Sequence, residues 1–420
     1  MKRHVVIIGA GIVGAISAIE CIQAGLRVTI VEPKTAGGEQ AASYGNAGWL
    51  SSHSVIPPAE PGLWKKVPSF ILDPLGPLAI RWNYLPQVAP WLAQYLASGW
   101  TAARVETTAR ALRTLLVGAP ALHKTLAQQA GVPNLIECRG VLHAYPSQEN
   151  FNADAVAWGI RRKTGVQWQE LQEDALQSLE PSLNQRYKFG VLVEEAGHCL
   201  NPGAYVEALF SYALKLGAAY VQSSAEGFRL ESGRLRAVRV GGAEIVCDAA
   251  VIAAGIRSKA LAAQSGDDVP LETERGYHVV VTNPEARPKF PVMVSDCKVT
   301  TTLTETGLRI AGQVEIAGLD AAPNWRRADI LREHLISIFP ALPRELPTDR
   351  MHYWFGHRPS MPDGLACIGF SKASTDIVYA FGHGHVGLVG SARTGRVVAQ
   401  LIAGRETEIA LEPFNPRRFS

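Results

Sequence analysis

Hydrophobic and polar positions follow a clear order at the start of the chain. An apolar run from Val5 to Ile8 leads into a glycine-rich turn, and apolar residues then recur at helical spacing from Ile12 to Ala24. A second strand-like segment, Arg27 to Val31, is mostly apolar and leads to Glu32. This pattern predicts a buried strand, a turn, a helix and a second strand, which together form a βαβ unit.

The same periodicities recur along the rest of the chain. Helical spacing predicts helices at 102–130, 151–163, 202–216 and 325–338, and a last helix that runs through residue 401. Alternation predicts strands at 139–145 and 248–255, a β-meander at 218–222, 227–231 and 234–240, and antiparallel strands at 276–282, 291–296, 299–304 and 307–313. We therefore expect a mixed α/β (α+β) fold whose domains interleave in sequence.

Composition narrows the class of protein. Of the 420 residues, 47% are hydrophobic and 19% are charged, which excludes intrinsic disorder. The formal net charge of +3 is not gathered into blocks, so nothing calls for nucleic acid as a partner. The six cysteines lie too far apart for short zinc or iron–sulfur spacings. They favour free thiols in a reducing, cytoplasmic compartment, although long-range disulfides stay open.

The glycine turn carries the first candidate chemistry. Gly9 permits the turn, Gly11 lets the backbone approach a pyrophosphate, and Gly14 lets the helix pack closely on the strand. The carboxylate of Glu32 suits ribose hydroxyls and disfavours a 2′-phosphate, so NADP is not expected, whereas FAD and NAD both fit. The predicted dinucleotide site comprises Gly9, Ala10, Gly11, Ile12, Val13, Gly14, Glu32 and Pro33.

A small, polar loop follows the second strand. Such a loop can lie flat against a planar ring and offer backbone donors to it, and an ordinary surface loop is the alternative. The candidate ring-binding residues are Ser43, Gly45, Asn46, Ala47 and Gly48.

Residues 57–100 combine tryptophans with prolines. The prolines at 74, 77, 86 and 90 separate Trp64, Trp82, Trp91 and Trp100, which predicts amphipathic helices joined by tight loops. Core or domain packing is the preferred explanation of the tryptophans. A peripheral contact with the inner membrane is the alternative, because Trp favours the membrane interface.

Two stretches near the C-terminal end resemble the first turn in chemistry. One, Gly356 to Gly369, contains Arg358-Pro359 and Pro362-Asp363, and the other is a glycine-rich entry into the last helix. A helix N terminus places a positive dipole end where a reduced flavin gains negative charge, at its N1–C2=O edge. His383 and His385 have no further ligands at supporting spacing, so no metal is expected.

Taken together, these motifs resemble the FAD-dependent D-amino acid oxidase superfamily, and most closely bacterial D-amino acid dehydrogenases and hydroxyproline dehydrogenases. The resemblance implies FAD as cofactor, in a Rossmann-like domain of the glutathione-reductase type. We expect this domain to comprise 1–62, 195–270 and 350–420, and a substrate domain on an antiparallel sheet to comprise 63–194 and 271–349. The implied cofactor contacts near the later strands are Ala254, Gly255, Gly382, His383, Gly384, His385, Val386, Gly387 and Leu388.

The resemblance also implies three candidate catalytic residues. Arg358 corresponds to the arginine that binds the substrate carboxylate, and its planar guanidinium suits that role; a structural arginine is the alternative. Tyr277 is expected to supply a pocket wall or a hydroxyl donor, with core packing equally open. His53 is expected to touch the ring or the substrate, with a solvated loop histidine as the alternative.

The implied reaction is oxidative deamination of a D-amino acid or a D-proline derivative. Hydride leaves Cα for flavin N5, and the imine hydrolyses to a keto acid or stays cyclic. Two alternatives stay open: a flavin-bearing subunit of a hetero-oligomeric amine-oxidising complex of the sarcosine, glycine or opine type, and an NAD-linked dehydrogenase. Oxygen, a quinone and a redox partner protein are all compatible electron acceptors.

Overall fold

The computed structural model describes residues 2–67, 72, 76 and 78–419. Pro74 and Pro77 of the predicted tryptophan-proline region lie outside the described residues.

The strands, numbered in chain order over the described residues, alternate with helices in the first half of the chain. The first ten are β1 (His4–Ile8), β2 (Arg27–Val31), β3 (Trp49–Leu50), β4 (Leu78–Ile80), β5 (Ile136–Glu137), β6 (Val141–Tyr145), β7 (Gln169–Gln172), β8 (Phe189–Val193), β9 (Gly197–Cys199) and β10 (Ala219–Val221). The others are β11 (Ala225–Glu231), β12 (Arg234–Val240), β13 (Ala243–Val246), β14 (Ala249–Ile252), β15 (Glu272–Val281), β16 (Val292–Val294), β17 (Val299–Thr304), β18 (Gly307–Ile316), β19 (Met351–Ser360), β20 (Cys367–Phe370) and β21 (Ile377–Phe381).

The α-helices are numbered in the same way. They are α1 (Ile12–Gln23), α2 (Leu85–Ser98), α3 (Ala102–Leu116), α4 (Ala119–Gln129), α5 (Gln148–Ala153), α6 (Ala155–Lys163), α7 (Glu173–Leu179), α8 (Pro202–Lys215), α9 (Ser258–Gln264), α10 (Arg326–Ile338) and α11 (Gly387–Ile402).

The first sheet, called here the parallel sheet, has the order β10-β2-β1-β14-β21-β20. All neighbours in it are parallel except β20 and β21. Val5 and Ile7 pack in the core formed with α1, α8 and α11, whereas Val6 and Ile8 pack in the core formed with β11–β13. Because successive side chains point to opposite faces, a strand covered on both faces must be a continuous apolar run. This arrangement confirms the predicted βαβ unit.

The second sheet, called here the large sheet, has the order β19-β15-β18-β17-β16-β6-β8-β7, with β4 beside β18. Its pairs are antiparallel except β16 with β6 and β4 with β18. Helix α10 packs on one face, where Leu331 and Leu335 share a core with Tyr277 and Val279 of β15. The residues that alternate with them on β15, among them Gly276 and His278, therefore face away from α10.

Three sequence predictions differ from the structure in more than the position of a boundary. The helix predicted at 102–130 is two helices, because Gly118 between α3 and α4 adopts φ +72°. The helix predicted at 151–163 is α5 followed by α6. Residues 219–221, predicted as the first meander strand, form the edge strand β10 of the parallel sheet, and the meander is β11-β12-β13.

The division into domains stays a prediction. Most of the segments assigned to the cofactor domain do contribute the strands of the parallel sheet, but β19, within 350–420, pairs with β15 of the large sheet. Helices α3 and α4, assigned to the substrate domain, share a core with α1 and α11.

The tryptophans of residues 57–100 are not equivalent. Trp91 is buried, whereas Trp64, Trp82 and Trp100 are at least half exposed. Within the described residues, no helix combines the length and apolar character needed to cross a membrane.

Candidate active site

A cavity of about 1100 Å³ is bordered by residues of the parallel sheet and of the large sheet. Gly9 to Val13 line it near one chain end and Phe381 to His385 near the other, and Gly276, Gln313 and Arg358 of the large sheet line it as well. The two glycine turns that the sequence singles out therefore border one space.

The turn after β1 forms a tight backbone cradle. Gly9 has φ +106°, and a Cβ on it would lie 2.5 Å from the carbonyl oxygen of Ala253. A Cβ on Gly14 would collide with the carbonyl oxygen of Gly9. Both positions therefore require glycine, and together they bring the N terminus of α1 to the cavity, where its free N–H groups suit a pyrophosphate.

Glu32 is fixed at the end of β2. Its Oε2 accepts a hydrogen bond from the backbone N–H of Ala10 at 3.0 Å, and its Oε1 accepts one from Lys34 at 3.1 Å. Ser43 Oγ accepts the N–H of Ile12 at 3.1 Å, which ties the following loop to the start of α1. The carboxylate thus lies at the place where a dinucleotide ribose is bound in βαβ units.

Most predicted cofactor residues line the cavity, and three do not. Those that line it are Gly9, Ala10, Gly11, Ile12, Val13, Glu32, Pro33, Ser43, Gly45, Asn46, Ala47, Ala254, Gly255, Gly382, His383, Gly384, His385, Gly387 and Leu388. Gly14 instead packs on Gly9, Gly48 packs on the backbone of Cys199, and Val386 packs in the core of the parallel sheet. These three residues pack on backbone or core neighbours and do not line the cavity.

His383 holds the second glycine turn onto its helix. The ring is buried, and its Nε2 lies 3.0 Å from Thr394 Oγ1 of α11. Burial lowers the pKa of His383 to about 4. A neutral ring bonded to its own helix is a structural element, and it leaves the backbone of the turn to face the cavity.

Arg358 lies on β19, directly opposite Glu274 of β15. Its Nη1 donates to the carbonyl oxygen of Gln313 at 3.3 Å, and its guanidinium occupies the space that a Cβ on Gly276 would need. Burial lowers the pKa of Arg358, and Glu274 works in the opposite direction. Within the described residues that one hydrogen bond is its only one, so most of its N–H donors are free to bind an anion.

Glu274 connects this arginine to the second glycine turn. The carboxylate is buried and accepts hydrogen bonds from Ser360 Oγ at 2.7 Å and from His385 Nε2 at 2.9 Å. Burial acts to raise the pKa of Glu274, but His385, Ser360 and Arg358 outweigh it and hold that pKa below its usual value. An ionised Glu274 therefore orients the ring of His385, which lines the cavity.

His53 is not a solvated loop residue. It is buried at the cavity, and its Nε2 lies 2.8 Å from Nε2 of His143 on β6. Burial holds the pKa of His53 well below its usual value and lowers that of His143 to about 3. The nearby guanidinium of Arg161 acts in the same direction on both and donates through Nε to the backbone oxygen of His53.

Tyr277 belongs to the core and not to the cavity wall, which corrects one of its two predicted readings. Its hydroxyl donates to Glu315 at 2.6 Å and accepts the N–H of Asn324 at 3.0 Å. Strand alternation explains this, because Tyr277 shares the α10 face of β15, whereas its neighbour Gly276 lines the cavity.

Sequence reasoning missed several residues that line the cavity, among them Gln313, His143, Arg161 and Trp354. Trp354 stacks on His278 with the ring centres 5.0 Å apart, and it fills the space beside Gly45. Trp354 could have been found from strand alternation, because residues 354, 356 and 358 of one strand point to the same face. The other three carry no local pattern that separates them from ordinary strand and helix residues.

Among the described residues, no group of three or more His, Cys, Asp or Glu side chains is arranged to hold a metal ion. The candidate chemistry of the cavity therefore rests on a dinucleotide cradle, a guanidinium and the paired Glu274 and His385.

Comparisons with known proteins identify the family of the chain. A family described as FAD dependent oxidoreductase (DAO) matches residues 4–401. The chain is 64% identical over 417 residues to a D-amino-acid oxidase of Bradyrhizobium diazoefficiens, with 99% of each chain covered. It is 27% identical over 423 residues to a D-amino acid dehydrogenase of Rhizobium rhizogenes, again with 99% of each covered.

The fold is also known from solved structures. An L-proline dehydrogenase from P. horikoshii superposes with a TM-score of 0.75 at 20% identity, over 100% of this chain and 98% of that one. The family match gives FAD as the cofactor and sets the NAD alternative aside. The chain therefore belongs to the DAO family of FAD-dependent oxidoreductases.

Proposed function

We propose that the protein oxidises the Cα–N bond of a D-amino acid or a D-proline derivative, giving an imine that hydrolyses to a keto acid or stays cyclic. The observation that carries this proposal is the position of Arg358, a partly buried residue whose guanidinium has free donors among the described residues and lies in the same cavity as both glycine turns. The D-amino-acid oxidase at 64% identity supports the substrate class.

The described residues fit FAD. The cradle of Gly9 and Gly11 with the N terminus of α1 would hold the pyrophosphate, and Glu32 would bind the ribose. The turn before α11 would face the flavin with backbone N–H groups and a positive helix end. Bound FAD supplies the acceptor for the hydride that leaves Cα.

Arg358 positions the substrate. A bidentate contact between its guanidinium and the substrate carboxylate fixes both the distance and the orientation of Cα, which is the larger part of catalysis when no covalent intermediate is needed. The strand β19 is paired with β15 along ten successive positions, so the backbone that carries Arg358 is well fixed.

His385 is the residue we assign to the proton of the substrate ammonium. The amine must be neutral before its lone pair can drive hydride loss from Cα. His385 Nε2 is bonded to Glu274, and Nδ1 has no partner among the described residues, so Nδ1 is the atom that accepts this proton. Glu274 then stabilises the imidazolium.

Oxygen is the electron acceptor we favour, because the relative at 64% identity is an oxidase. A quinone or a partner protein would suit the exposed aromatic pair Trp64 and Trp100, whose rings stack 6.4 Å apart, if that pair rests on a membrane surface or on another subunit. Hydrogen peroxide release by the purified chain supports oxygen, whereas reduction of a quinone only in the presence of vesicles or a co-purified subunit supports the alternatives.

The proposed function is tested by anaerobic titration of the purified flavoprotein with D- and L-amino acids, glycine, sarcosine and the hydroxyproline isomers. We expect loss of the flavin absorbance with one or more D-amino acids or D-proline derivatives. Bleaching by L-isomers alone would overturn the handedness, and no bleaching with any amine-bearing acid would overturn the whole proposal.

The role of Arg358 has a separate test. Arg358→Met should keep FAD bound and raise the apparent substrate constant at least tenfold, since a charge-assisted contact is lost. If the variant and the wild type have equal substrate constants, the carboxylate is bound elsewhere.

A further inference from the structure

Gln313 stands at an irregularity in the sheet beside Arg358. In the pairing of β15 with β18, Arg275 lies opposite Glu315 and Tyr277 lies opposite Gly312. Gln313 and Val314 therefore stand opposite the single residue Gly276, which is a β-bulge. Gln313 adopts φ +61°, a conformation that is unfavourable for a residue with a side chain.

The side-chain amide of Gln313 has no hydrogen-bond partner in the part of the chain that the structure describes. Gln313 is 8% exposed, and its Oε1 is buried without a hydrogen bond. Within the described residues the amide nitrogen has no hydrogen bond either. A buried amide that is left unpaired costs free energy, as does the backbone conformation that puts it there. Among the described residues no hydrogen bond to the side-chain amide offsets these costs, so we expect the amide to serve a ligand.

The amide is close to the substrate anchor. The main-chain oxygen of Gln313 accepts the hydrogen bond from Arg358 Nη1 at 3.3 Å, and both residues line the cavity. In an α-amino acid the nitrogen is bonded to the carbon next to the carboxylate. An acid held by Arg358 therefore brings its amine within reach of groups that adjoin this guanidinium.

The carboxylates near this point are already engaged. Glu274 accepts hydrogen bonds from Ser360 and His385, and Glu315 accepts them from Tyr277 and Arg81. Beside Arg358, the amide oxygen of Gln313 is therefore a carboxamide acceptor that stays free for an N–H donor. A neutral acceptor also suits the chemistry, since a carboxylate there would favour the ammonium, from which hydride cannot leave.

We propose that Gln313 binds the α-amine of the substrate, an inference that rests on the proposed function. Its Oε1 accepts a hydrogen bond from the amine N–H while Arg358 binds the carboxylate. The terminal torsion of a glutamine side chain is soft, so the oxygen turns toward the amine at little cost. Arg358 then recognises any carboxylic acid, whereas Gln313 selects those that carry an amine with at least one hydrogen.

The test compares the best substrate of the amino-acid panel with its deamino analogue, which for D-alanine is propionate. Flavin absorbance changes give the dissociation constant of the analogue, and the concentration dependence of anaerobic flavin reduction gives that of the substrate. Gln313→Met should raise the dissociation constant of the substrate about tenfold. The dissociation constant of the analogue should stay within about twofold of the wild-type value. Gln172→Met, an exposed glutamine on β7, is the matched control and should change neither constant.

Gln313→Glu keeps the shape of the side chain and covers the case in which the methionine variant does not fold. It should slow flavin reduction at least tenfold at neutral pH, because a carboxylate stabilises the ammonium form of the substrate. Equal weakening of substrate and analogue by Gln313→Met, or no change in either variant, would overturn the assignment. Failure of the proposed function is recognised separately, since the wild type would then not be reduced by any member of the panel.

Discussion

Gly276→Ala is a small change that should separate substrate binding from folding. The added Cβ would overlap the guanidinium of Arg358, and no other neighbour is as close. Gly276 is not in a left-handed conformation, so its backbone accepts an alanine. The overlapping atoms are the far end of a flexible side chain, and we therefore expect Arg358 to move while the strand stays in place.

The expected magnitudes follow from these contacts. A hydrogen bond to a charged group is worth about 1.5–3 kcal/mol, so a displaced guanidinium should weaken carboxylate binding by roughly 10- to 150-fold. The free energy of unfolding should change by less than about 1 kcal/mol, because no cavity is created and no buried core residue is displaced.

The assay is the dissociation constant of propionate, measured from its effect on flavin absorbance, together with FAD content and urea unfolding. Gly159→Ala in α6 is the control, since an added Cβ there meets no atom within 4 Å. It should leave propionate binding unchanged and stabilise the helix by up to about 1 kcal/mol. If Gly276→Ala binds propionate as tightly as the wild type with unaltered FAD content, Arg358 is not the carboxylate anchor.

Three further changes probe other parts of the site. Gly14→Ala should abolish FAD retention through gel filtration and lower the free energy of unfolding by roughly 3 kcal/mol. The reason is that the added Cβ would collide with the backbone of Gly9. Gly356→Ala should weaken FAD binding rather than propionate binding, since its Cβ would displace the Trp354 ring that packs beside Gly45. Measuring the dissociation constants of FAD and of propionate for this variant checks the expectation. Acid should destabilise the fold between about pH 6.5 and 4, because histidines of the unfolded chain bind protons in this range whereas the buried histidines stay neutral. The free energy of unfolding should fall by about 1.4 kcal/mol per histidine and pH unit. Urea midpoints that stay constant from pH 7.5 to pH 5 would contradict this expectation. The histidines concerned are those whose pKa burial lowers to about 3 or 4, namely His123, His143, His198 and His383.

The sign of the pH effect follows from those pKa values. Each lies below the value of the unfolded histidine, so stability is complete above about pH 6.5 and is lost as the pH falls toward the folded-state pKa. His143→Gln should reduce the slope by the contribution of one histidine.

The parts of the fold with strong local signals were predictable from sequence. The unit from β1 to β2 is marked by apolar runs and by glycines at positions where a side chain would not fit. Its predicted bounds agree with the structure to one residue. The break between α3 and α4 was missed, because Gly118 falls within a continuous apolar period and only the structure shows its left-handed conformation. The position of β10 was also missed, since pairing with β2 is a long-range property.

The site was predictable where it lies on turns and less so where it lies on strands. Arg358 was singled out by the motif of Arg358-Pro359 followed by Pro362-Asp363, which can be read from the local sequence. Tyr277 and Gly276 are neighbours on β15, and the choice between them depends on which face α10 covers. Gln313 owes its place to a bulge that only the register with β15 reveals.

A pair of glycines explains how the large sheet forms this wall of the cavity. Gly276 and Gly356 lie directly opposite each other on β15 and β19, and the absent side chains leave a flat area of backbone. The guanidinium of Arg358 occupies the space above one glycine, and the ring of Trp354 occupies the space above the other. Both side chains arise from β19, two residues to either side of Gly356, so strand geometry sets their separation. The proposed substrate anchor Arg358 and the cavity-lining ring of Trp354 are thus placed by a single paired strand, and a change in either glycine should displace one side chain while leaving the other in position.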